Sequence, residues 1–299
     1  MSGQMHRLHD CTIHRVEERL EPAVPPALLL PGLDPALLDE HAGWLVPHHR
    51  DAASGLLVIG IHSWLIRTPR HTILVDACAG NDKERLRPET AEFHRQHTPW
   101  LKRLAACGVR PEQVDYVMCT HLHVDHVGWN TRLADGRWVP TFPNAKYLFS
   151  RRDYAHWDPA ARAGLPPHPN DGVFEDSVLP VVAAGLVEWV GDEAHSPVDG
   201  LRVEPAPGHT PGHCVLHLDA GGRHALFSGD TMHHALQVYA PDLNSAFCED
   251  PGMSRATRRR LLEGVCDRDV LLFPAHFGHP HAGRVVSRGG SFAFRFGTD

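Results

Sequence analysis

The sequence contains no long hydrophobic run. None of its uninterrupted apolar stretches approaches the ~20 residues that a membrane-spanning helix needs. Residues 1–20, MSGQMHRLHDCTIHRVEERL, also lack the apolar core that a secretory signal peptide requires. We therefore expect a cytoplasmic protein that has no membrane partner.

Cysteine is sparse and shows no pairing pattern. The seven cysteines are odd in number, lie far apart and include no C-x-x-C pair. Such residues are typical of reduced thiols in a cytosolic protein, not of a disulfide framework. The cysteines therefore agree with the expected cytoplasmic location.

A concentrated positive charge is also missing. The net charge is −7, and the longest arginine run, Arg258–Arg260, falls in a stretch that we predict to be helical and solvated. A nucleic-acid-binding surface usually needs a basic groove or patch. The charge distribution therefore argues against nucleic acid as a partner.

Three common catalytic motifs are absent as well. The sequence contains no G-x-S-x-G, no P-loop and no G-x-G-x-x-G. Hydrolysis by a serine nucleophile and nucleotide-dependent chemistry therefore have no support.

The composition and the apolar pattern predict one α/β (α+β) domain. Hydrophobic residues make up 42% and charged residues 22% of the chain, as in soluble globular proteins. Strands are grouped towards both ends with helices between them, which favours two face-to-face sheets flanked by helices. We predict a single domain over residues 1–299, with residues 1–54 as an N-terminal extension packed on it.

Periodicity and turn residues predict where the elements lie. Strands are predicted over 11–20, 55–66, 71–78, 116–120, 146–150, 201–205, 213–218, 224–228 and 270–274, with a strand pair over 283–296. Helices are predicted over 34–45, 98–107, 151–163, 173–184 and 255–266.

Histidine is abundant, and one cluster stands out among the 25 histidines. Residues 120–129 read THLHVDHVGW and follow the predicted strand 116–120. In an extended chain His121 and His123 project to the same side, where they can share one ion. Asp125 and His126 follow one turn later, and imidazole nitrogen and carboxylate oxygen suit Zn²⁺ and related ions. The cluster predicts a metal site.

Three further segments place single candidate ligands at strand ends. PGHTPGH at 207–213 puts His209 in a tight turn, FSGDT ends a strand with Asp230, and FPAH ends another with His276. Because strand ends can converge on one site, we predict these three residues as further ligands. His213, the second histidine of its motif, is predicted to pack behind the ligands.

The order of these motifs, H-x-H-x-D-H, GHTPGH, SGD and AH, resembles that of the metallo-β-lactamase superfamily over roughly residues 56–280. The resemblance implies an αββα sandwich of two mixed sheets with a two-metal site at the sheet edges. The cofactors it implies are two divalent ions, zinc first, with manganese, iron or cobalt as alternatives. The implied site comprises His121, His123 and His209 for the first ion, Asp125, His126 and His276 for the second, Asp230 as the bridge, and Asp76 as a residue that orients the ligands.

Hydrolysis is the reaction that this resemblance implies. Paired ions hold a bridging hydroxide that attacks a carbonyl or phosphoryl centre. Asp125 and Asp230 are the implied catalytic carboxylates, and Asp230 holds the hydroxide in line. The best-known lactamases of the superfamily have cysteine or serine where Asp230 stands, so we do not expect β-lactam turnover.

The residues around and after Asp230 narrow the substrate. The aspartate bridge resembles that of glyoxalase II and of lactonases, although residues 231–234 offer no clear counterpart of the lactonase tyrosine. The segments GDTMHHALQV (229–238), PDL (241–243), FCEDP (247–251) and ATRRRL (256–261) resemble the branch that contains methyl parathion hydrolase. We therefore expect a small neutral ester, lactone or phosphotriester as substrate, with a thioester of the glyoxalase II type as the alternative.

Three other functions remain open for this fold. They are a nuclease, which the charge disfavours, a non-catalytic metal-binding protein, and a persulfide dioxygenase that uses a single iron. All seven expected ligand positions are filled, which disfavours a protein that has lost its metal site. We expect a small-molecule substrate as the partner, with a homodimer as one candidate assembly.

Several aromatic residues near the motifs are candidates for the walls of a substrate pocket. Apolar walls with few polar groups suit a small neutral ester, although the same residues are equally compatible with an ordinary core. The candidates are Trp64, Trp129, Phe247 and Phe277, with His233 as their polar neighbour. The sequence leaves open the roles of His233, His234, His279 and His281.

Overall fold

The structure, a computed structural model, describes residues 5–298. These residues divide into two compact units. The first unit contains Ile61–His195 and the N-terminal segment that ends at Glu18, and the second contains Arg19–Gly60 and the C-terminal segment that begins at Ser196. The predicted single-domain organisation stays a prediction.

Fifteen strands are found in the described residues, and they form two large sheets and one hairpin. Their bounds are β1 Met5–Leu8, β2 Cys11–Val24, β3 Leu57–Arg67, β4 Thr72–Val75, β5 Tyr116–Met118, β6 Thr131–Ala134, β7 Arg137–Pro140, β8 Lys146–Ser150, β9 Val187–Val190, β10 Leu201–Pro205, β11 Cys214–Ala220, β12 Arg223–Gly229, β13 Val270–Pro274, β14 Gly283–Arg288 and β15 Ser291–Phe296. The predicted strands at 146–150, 201–205 and 270–274 match in every residue.

The first sheet has seven strands in the order β1-β2-β3-β4-β5-β8-β9. Strands β4, β5, β8 and β9 pair in parallel, and Val75 lies opposite Met118 in the register of β4 and β5. Parallel strands are usually covered on both faces, which agrees with the burial of Ile73, Val117 and Leu148. The carboxyl ends of β4 and β5 therefore meet at one edge of the sheet.

The second sheet has six strands in the order β10-β11-β12-β13-β14-β15. Only β12 and β13 pair in parallel within it, with Phe227 opposite Phe273 and Gly229 opposite Pro274. This register brings the carboxyl ends of both strands to the same edge. Two large mixed sheets with helices confirm the predicted α/β class.

The described helices are short except for the last. Their bounds are α1 Pro26–Leu29, α2 Pro35–Glu40, α3 Ala42–Leu45, α4 Trp100–Ala106, α5 Arg151–Trp157, α6 Pro159–Arg162, α7 Leu179–Ala183, α8 Leu236–Tyr239 and α9 Pro251–Val265, with 3₁₀ turns at Pro88–Phe93, Pro111–Gln113 and Gly128–Asn130 and a π turn at Phe174–Val178. Among residues 5–298, no helix is long and apolar enough to cross a membrane.

Four predicted helices differ from the structure. The helix over 34–45 is interrupted at His41, and the helix over 151–163 at Asp158, because the Asp158 carboxylate caps α6 by accepting from the Ala160 amide. The helix over 173–184 begins with the π turn. The last helix starts at Pro251 and not at 255, since Asp250 is its N-cap.

Four strands of the structure were not predicted from the sequence. They are β1, β9 and the two strands of the β6–β7 hairpin. The sequence signal for the hairpin is the Asp135–Gly136 pair. Both residues have positive φ, as the favoured two-residue hairpin turns require.

The long helix α9 covers the core of the second unit. Leu261, Leu262 and Val265 pack there with Leu226 and Leu272 of the sheet, and burial of each such side chain contributes about 1.5–3 kcal/mol. The prediction that Arg258–Arg260 form a solvated face is wrong for Arg258. Its side chain is fully buried, because it lies on the same helical stripe as Leu261 and Leu262.

Candidate metal centre

In the first unit, Asp76 follows β4 directly and lies beside the start of the histidine cluster. Its carboxylate accepts from the Thr120 amide at 2.7 Å and the Thr120 hydroxyl at 3.0 Å, and it lies 2.9 Å from Nδ1 of His126. Asp76 is buried and has a φ of 59°, a conformation that costs energy for a residue other than glycine. The side chain thus holds the start of the histidine cluster and one of its imidazoles.

These contacts determine which ring nitrogens remain for a metal. The Thr120 hydroxyl donates to Asp76, so it accepts from Nδ1 of His121, 3.0 Å away. His126 likewise uses Nδ1 towards Asp76. Nε2 of His121 therefore keeps the lone pair that binds a metal, and the 2.9 Å contact with Asp76 engages the other nitrogen of His126, in the way that outer partners commonly orient metal-binding imidazoles.

The four candidate ligands of the first unit lie close together. Nε2 of His121 is 3.0 Å from Nδ1 of His123, and the rings of His121 and His126 are 4.0 Å apart between centroids. Asp125 Oδ1 lies 3.6 Å from His126 Nε2. The structure thus brings together all four residues predicted from H-x-H-x-D-H.

A close backbone contact fixes the loop that follows the cluster. A Cβ atom on Gly128 would lie 1.9 Å from the backbone carbonyl carbon of Ala79, so only glycine fits there. The amides of Gly128 and Trp129 donate to Cys78 and Ala77, and the Ala77 amide donates to the His126 carbonyl. The loop after Asp76 therefore clamps the loop that carries the ligands.

In the second unit, Asp230 is surrounded by three imidazoles. Its Oδ2 lies 3.4 Å from Nε2 of His209 and 3.1 Å from Nε2 of His233, and its Oδ1 lies 3.0 Å from Nε2 of His276. All four side chains are buried. The parallel pairing of β12 and β13 places Asp230 and His276, and the turn after β10 supplies His209.

Backbone contacts orient these residues too. Nδ1 of His276 donates to the Gly60 carbonyl at 2.8 Å, which leaves Nε2 to face Asp230. The Asp230 amide donates to Nε2 of His213 at 3.0 Å, so His213 packs behind the site as predicted. Gly208 has a φ of 134°, and a Cβ there would lie 2.3 Å from the Ser254 amide nitrogen, so the His209 turn needs glycine.

His233, whose role the sequence left open, belongs to the group of side chains around Asp230. The candidate ligand atoms of His209, Asp230 and His233 all lie within 4.8 Å of one another. The His233 ring stacks on His276 at 5.8 Å and lies 5.9 Å from Phe247. The three-residue spacing from Asp230 within a turn is the signal that could have singled out His233.

The other histidines whose roles were open make structural contacts. Burial lowers the pKa of His234 to about 4, and its Nε2 donates to the His49 carbonyl at 3.0 Å. His281 donates through Nδ1 to the Phe277 carbonyl at 2.7 Å, whereas His279 is exposed and its ring lies 5.2 Å from that of His48.

The predicted pocket residues occupy different environments. Trp129 is buried, stacks on Trp100 at 5.4 Å and donates to Glu18, and Trp64 is buried against His62. Phe277 is fully buried in the core of the second unit. Phe247 is the one with an open surface, at 50% exposure.

One aromatic neighbour of the cluster was not predicted from the sequence. The ring of Trp157 lies 5.2 Å from that of His123, and Trp157 is 3% exposed. Trp157 is distant in sequence from the motif, and only the fold of α5 brings it there.

The donor sets of both units fit divalent metal ions. Ligand bonds of about 2.0–2.2 Å in tetrahedral geometry place two donors of the same zinc ion ~3.4 Å apart. The 3.0 Å between His121 and His123 and the 3.4 Å between His209 and Asp230 are close to that separation. Imidazoles with carboxylates are also the donor types that zinc and its neighbours accept.

Known proteins show the same combination of motifs and fold. Residues 56–276 match the metallo-beta-lactamase superfamily. Two similar sequences are the hydroxyacylglutathione hydrolase of Aeromonas hydrophila subsp. hydrophila, 27% identical over 213 residues (71% of this chain and 59% of that protein), and the N-acyl homoserine lactonase of Bacillus thuringiensis, 25% identical over 179 residues (60% of each). The chain thus spans about three fifths of the length of these relatives.

A solved structure agrees over nearly the whole chain. The hydrolase AbOPH of the beta lactamase superfamily superposes with a TM-score of 0.80 at 24% identity, covering 99% of this chain and 98% of that one. The superfamily match includes every candidate ligand, from His121 to His276. The chain belongs to the metallo-beta-lactamase superfamily.

Proposed function

We propose that the protein is a two-metal hydrolase of small neutral esters, with lactones and aryl esters first and phosphotriesters second. The observation that carries this proposal is the buried Asp230 carboxylate, which has imidazoles of His209, His233 and His276 around its two oxygens. A carboxylate at this position separates the chain from lactamases with cysteine or serine there.

Seven residues would hold the two ions, with zinc as the first candidate. They are His121, His123, Asp125, His126, His209, Asp230 and His276. When bound, the ions lower the pKa of a water molecule and polarise the carbonyl or phosphoryl oxygen of the substrate. The chain itself then needs no nucleophilic side chain.

The chain's own residues position the reactants. Asp230 offers two carboxylate oxygens, and together with Asp125 it is the proposed carboxylate that receives the proton released in hydrolysis. Nε2 of His233 lies 3.1 Å from Oδ2 of Asp230, so His233 borders the proposed site, and its imidazole is the proposed hydrogen-bond donor to the substrate's oxygen when the ions engage Asp230. In this respect His233 would act where lactonases of the superfamily use tyrosine.

The half-exposed Phe247 supports a small neutral substrate. Its ring lies 5.9 Å from His233 and offers an apolar surface beside the proposed donor. Apolar walls with few polar groups bind neutral ligands by burial and orient them through those few groups.

The test is a substrate panel with isotope labelling. Lactones, aryl esters, thioesters and phosphotriesters are offered to zinc-, manganese- and cobalt-loaded protein, and turnover of a lactone or aryl ester is expected to be fastest. In ¹⁸O water under single-turnover conditions, the label should enter the acid product. A trapped acyl-enzyme would contradict the mechanism, and an inert panel with both ions bound would contradict the substrate class.

A thioesterase is the second candidate function. It is favoured by the similarity to a hydroxyacylglutathione hydrolase over 71% of the chain. A thioester hydrolysed faster than every lactone and aryl ester in the same panel would favour this candidate over the first.

The proposal also covers location, partners and assembly. None of the seven cysteines, all of which lie within residues 5–298, forms a disulfide, which supports the proposed cytoplasmic location. The net charge of −7 supports a protein that works without nucleic acid, and we also propose a homodimer as its assembly. Light scattering of the purified protein tests the assembly, and a nuclease assay tests the absence of activity on nucleic acid.

A further inference from the structure

Arg258 is a buried cation within the second unit. Its guanidinium is fully buried on α9, whereas its neighbours Arg259 and Arg260 are half exposed and pair with Asp242 and Glu204. Burial lowers the pKa of Arg258 only to about 10, so it stays charged at neutral pH. A buried charge is costly unless its donors are satisfied, so the contacts of this one side chain are informative.

Oxygen atoms of neutral groups satisfy the guanidinium. Within residues 5–298, its hydrogen bonds go to the carbonyls of Thr231 (2.8 Å), Pro241 (2.6 Å) and Leu243 (2.7 Å), the amide of Asn244 (3.1 Å) and the hydroxyl of Ser254 (3.2 Å). One planar group thus binds three segments that are separate in sequence. Lysine could not do this, because its single ammonium cannot reach acceptors in a fork.

The first of these contacts leads to Asp230. Nε of Arg258 fixes the carbonyl of Thr231, which directly follows Asp230 in the chain. On the other side of Asp230, its amide donates to His213. The backbone that carries the Asp230 carboxylate is therefore held at the amide of Asp230 itself and at the carbonyl of the following residue, Thr231.

The last contact leads to His209. Nη2 of Arg258 donates to the Ser254 hydroxyl, which lies 3.3 Å from Sγ of Cys248, and that sulfur lies 3.9 Å from Nδ1 of His209. The amide of Glu249, next to Cys248, donates to the His209 carbonyl at 2.9 Å. Nε2 of His209 then faces Asp230.

We propose that Arg258 is a positioning residue that holds Asp230 and His209 in register with each other. It reaches Asp230 through the Thr231 carbonyl and His209 through Ser254 and Cys248. The inference rests on the proposed function, because it assigns the two positioned side chains to metal binding. Outer contacts of this kind commonly change metal affinity or activity by about 10–100-fold when they are removed.

The test compares Arg258→Lys and Arg258→Met with Arg259→Lys and Arg259→Met. Each variant is loaded with cobalt, and its visible absorption spectrum, its cobalt affinity by chelator competition, its kcat and its KM are measured. For Arg258→Lys we expect native circular dichroism, an altered cobalt spectrum, about 10–100-fold weaker cobalt binding, and a fall in kcat that exceeds any change in KM. The Arg259 variants should match the wild type in all four.

Two outcomes would overturn the inference. An Arg258→Lys variant with the wild-type cobalt spectrum, affinity and kcat would show that the guanidinium positions nothing. Wild-type protein that takes up no cobalt would overturn both this inference and the proposed function, so the two failures are distinguishable.

Variants of Cys248 keep the inference testable if Arg258→Met does not fold. If Arg258→Met does not fold, Cys248→Ala tests the same path without removing the charge. It should alter the cobalt spectrum, and Cys248→Ser, which keeps a polar hydrogen, should restore it. Identical spectra for the wild type and Cys248→Ala would contradict the path to His209.

Discussion

Replacing Asp230 by Asn should remove most of the metal-induced stabilisation while leaving the metal-free fold intact. Asn has the same shape and keeps one oxygen for His276, and the Asp230 amide contact to His213 does not involve the side chain. What is lost is the negative charge that faces three imidazoles, and an amide cannot bridge two cations as a carboxylate does.

The gain in the free energy of unfolding that metal binding provides depends on the metal affinity. At a metal concentration 100 times the dissociation constant, binding to the native state adds about 2.7 kcal/mol to the free energy of unfolding. If Asp230→Asn weakens binding by ~100-fold, the same concentration adds only about 0.4 kcal/mol. A loss of about 10²–10³ in kcat is expected beside it, as for removal of a preorganised electrostatic group.

Urea denaturation with and without zinc measures this difference. The matched control is Asp39→Asn, which removes an exposed carboxylate of the same unit and should keep the full zinc effect. An Asp230→Asn variant that gains as much stability from zinc as the wild type would refute the reasoning.

Three further predictions concern single side chains. Asp76→Ala should weaken metal binding by about 10–100-fold in chelator competition, because His126 and Thr120 lose their carboxylate acceptor, and unchanged affinity would contradict that role. His233→Phe should lower kcat by about 10²-fold with both ions retained, and loss of one ion per chain in elemental analysis would instead identify His233 as a ligand. Burial lowers the pKa of Lys83 from 10.5 to about 7, so the unfolded chain binds more protons between these pH values and the free energy of unfolding should rise with pH across that window. Lys83→Met should remove this rise, as measured by urea denaturation at pH 7, 8 and 9, and an unchanged slope would show that Lys83 is not its source.

The sequence predicts best those site residues that lie within three residues after the end of an apolar strand. Strands β5, β12 and β13 are short buried runs, and a polar residue after each must lie at a sheet edge. For that reason His121, Asp230 and His276 could be placed by pattern alone. The pairing of His126 with Asp76 is harder, because it depends on the parallel register of β4 and β5.

Adjacent residues of the same type are where the sequence fails. His233 contacts Asp230 whereas His234 contacts His49, and only the turn after Gly229 decides which histidine points where. Arg258 is buried whereas Arg259 is exposed. Here helical periodicity is a usable signal, since Arg258 falls on the stripe of Ser254, Leu261 and Val265.

Aromatic residues are equally ambiguous in sequence. Phe247 and Phe277 both flank motif segments, but Phe277 fills the core of the second unit and Phe247 is half exposed. Trp157 contacts His123 from a helix whose place no local pattern indicates. Packing between distant segments decides these cases, so they require the structure.

The number of metal ions bound per chain decides whether the protein is a two-metal hydrolase. Elemental analysis of gently purified protein, repeated after incubation with zinc and removal of the excess, gives the number of bound ions per chain. The seven candidate ligands exceed what one tetrahedral ion can use, so we predict about two ions per chain. One ion or none, not restored by added zinc, manganese or cobalt, would contradict it.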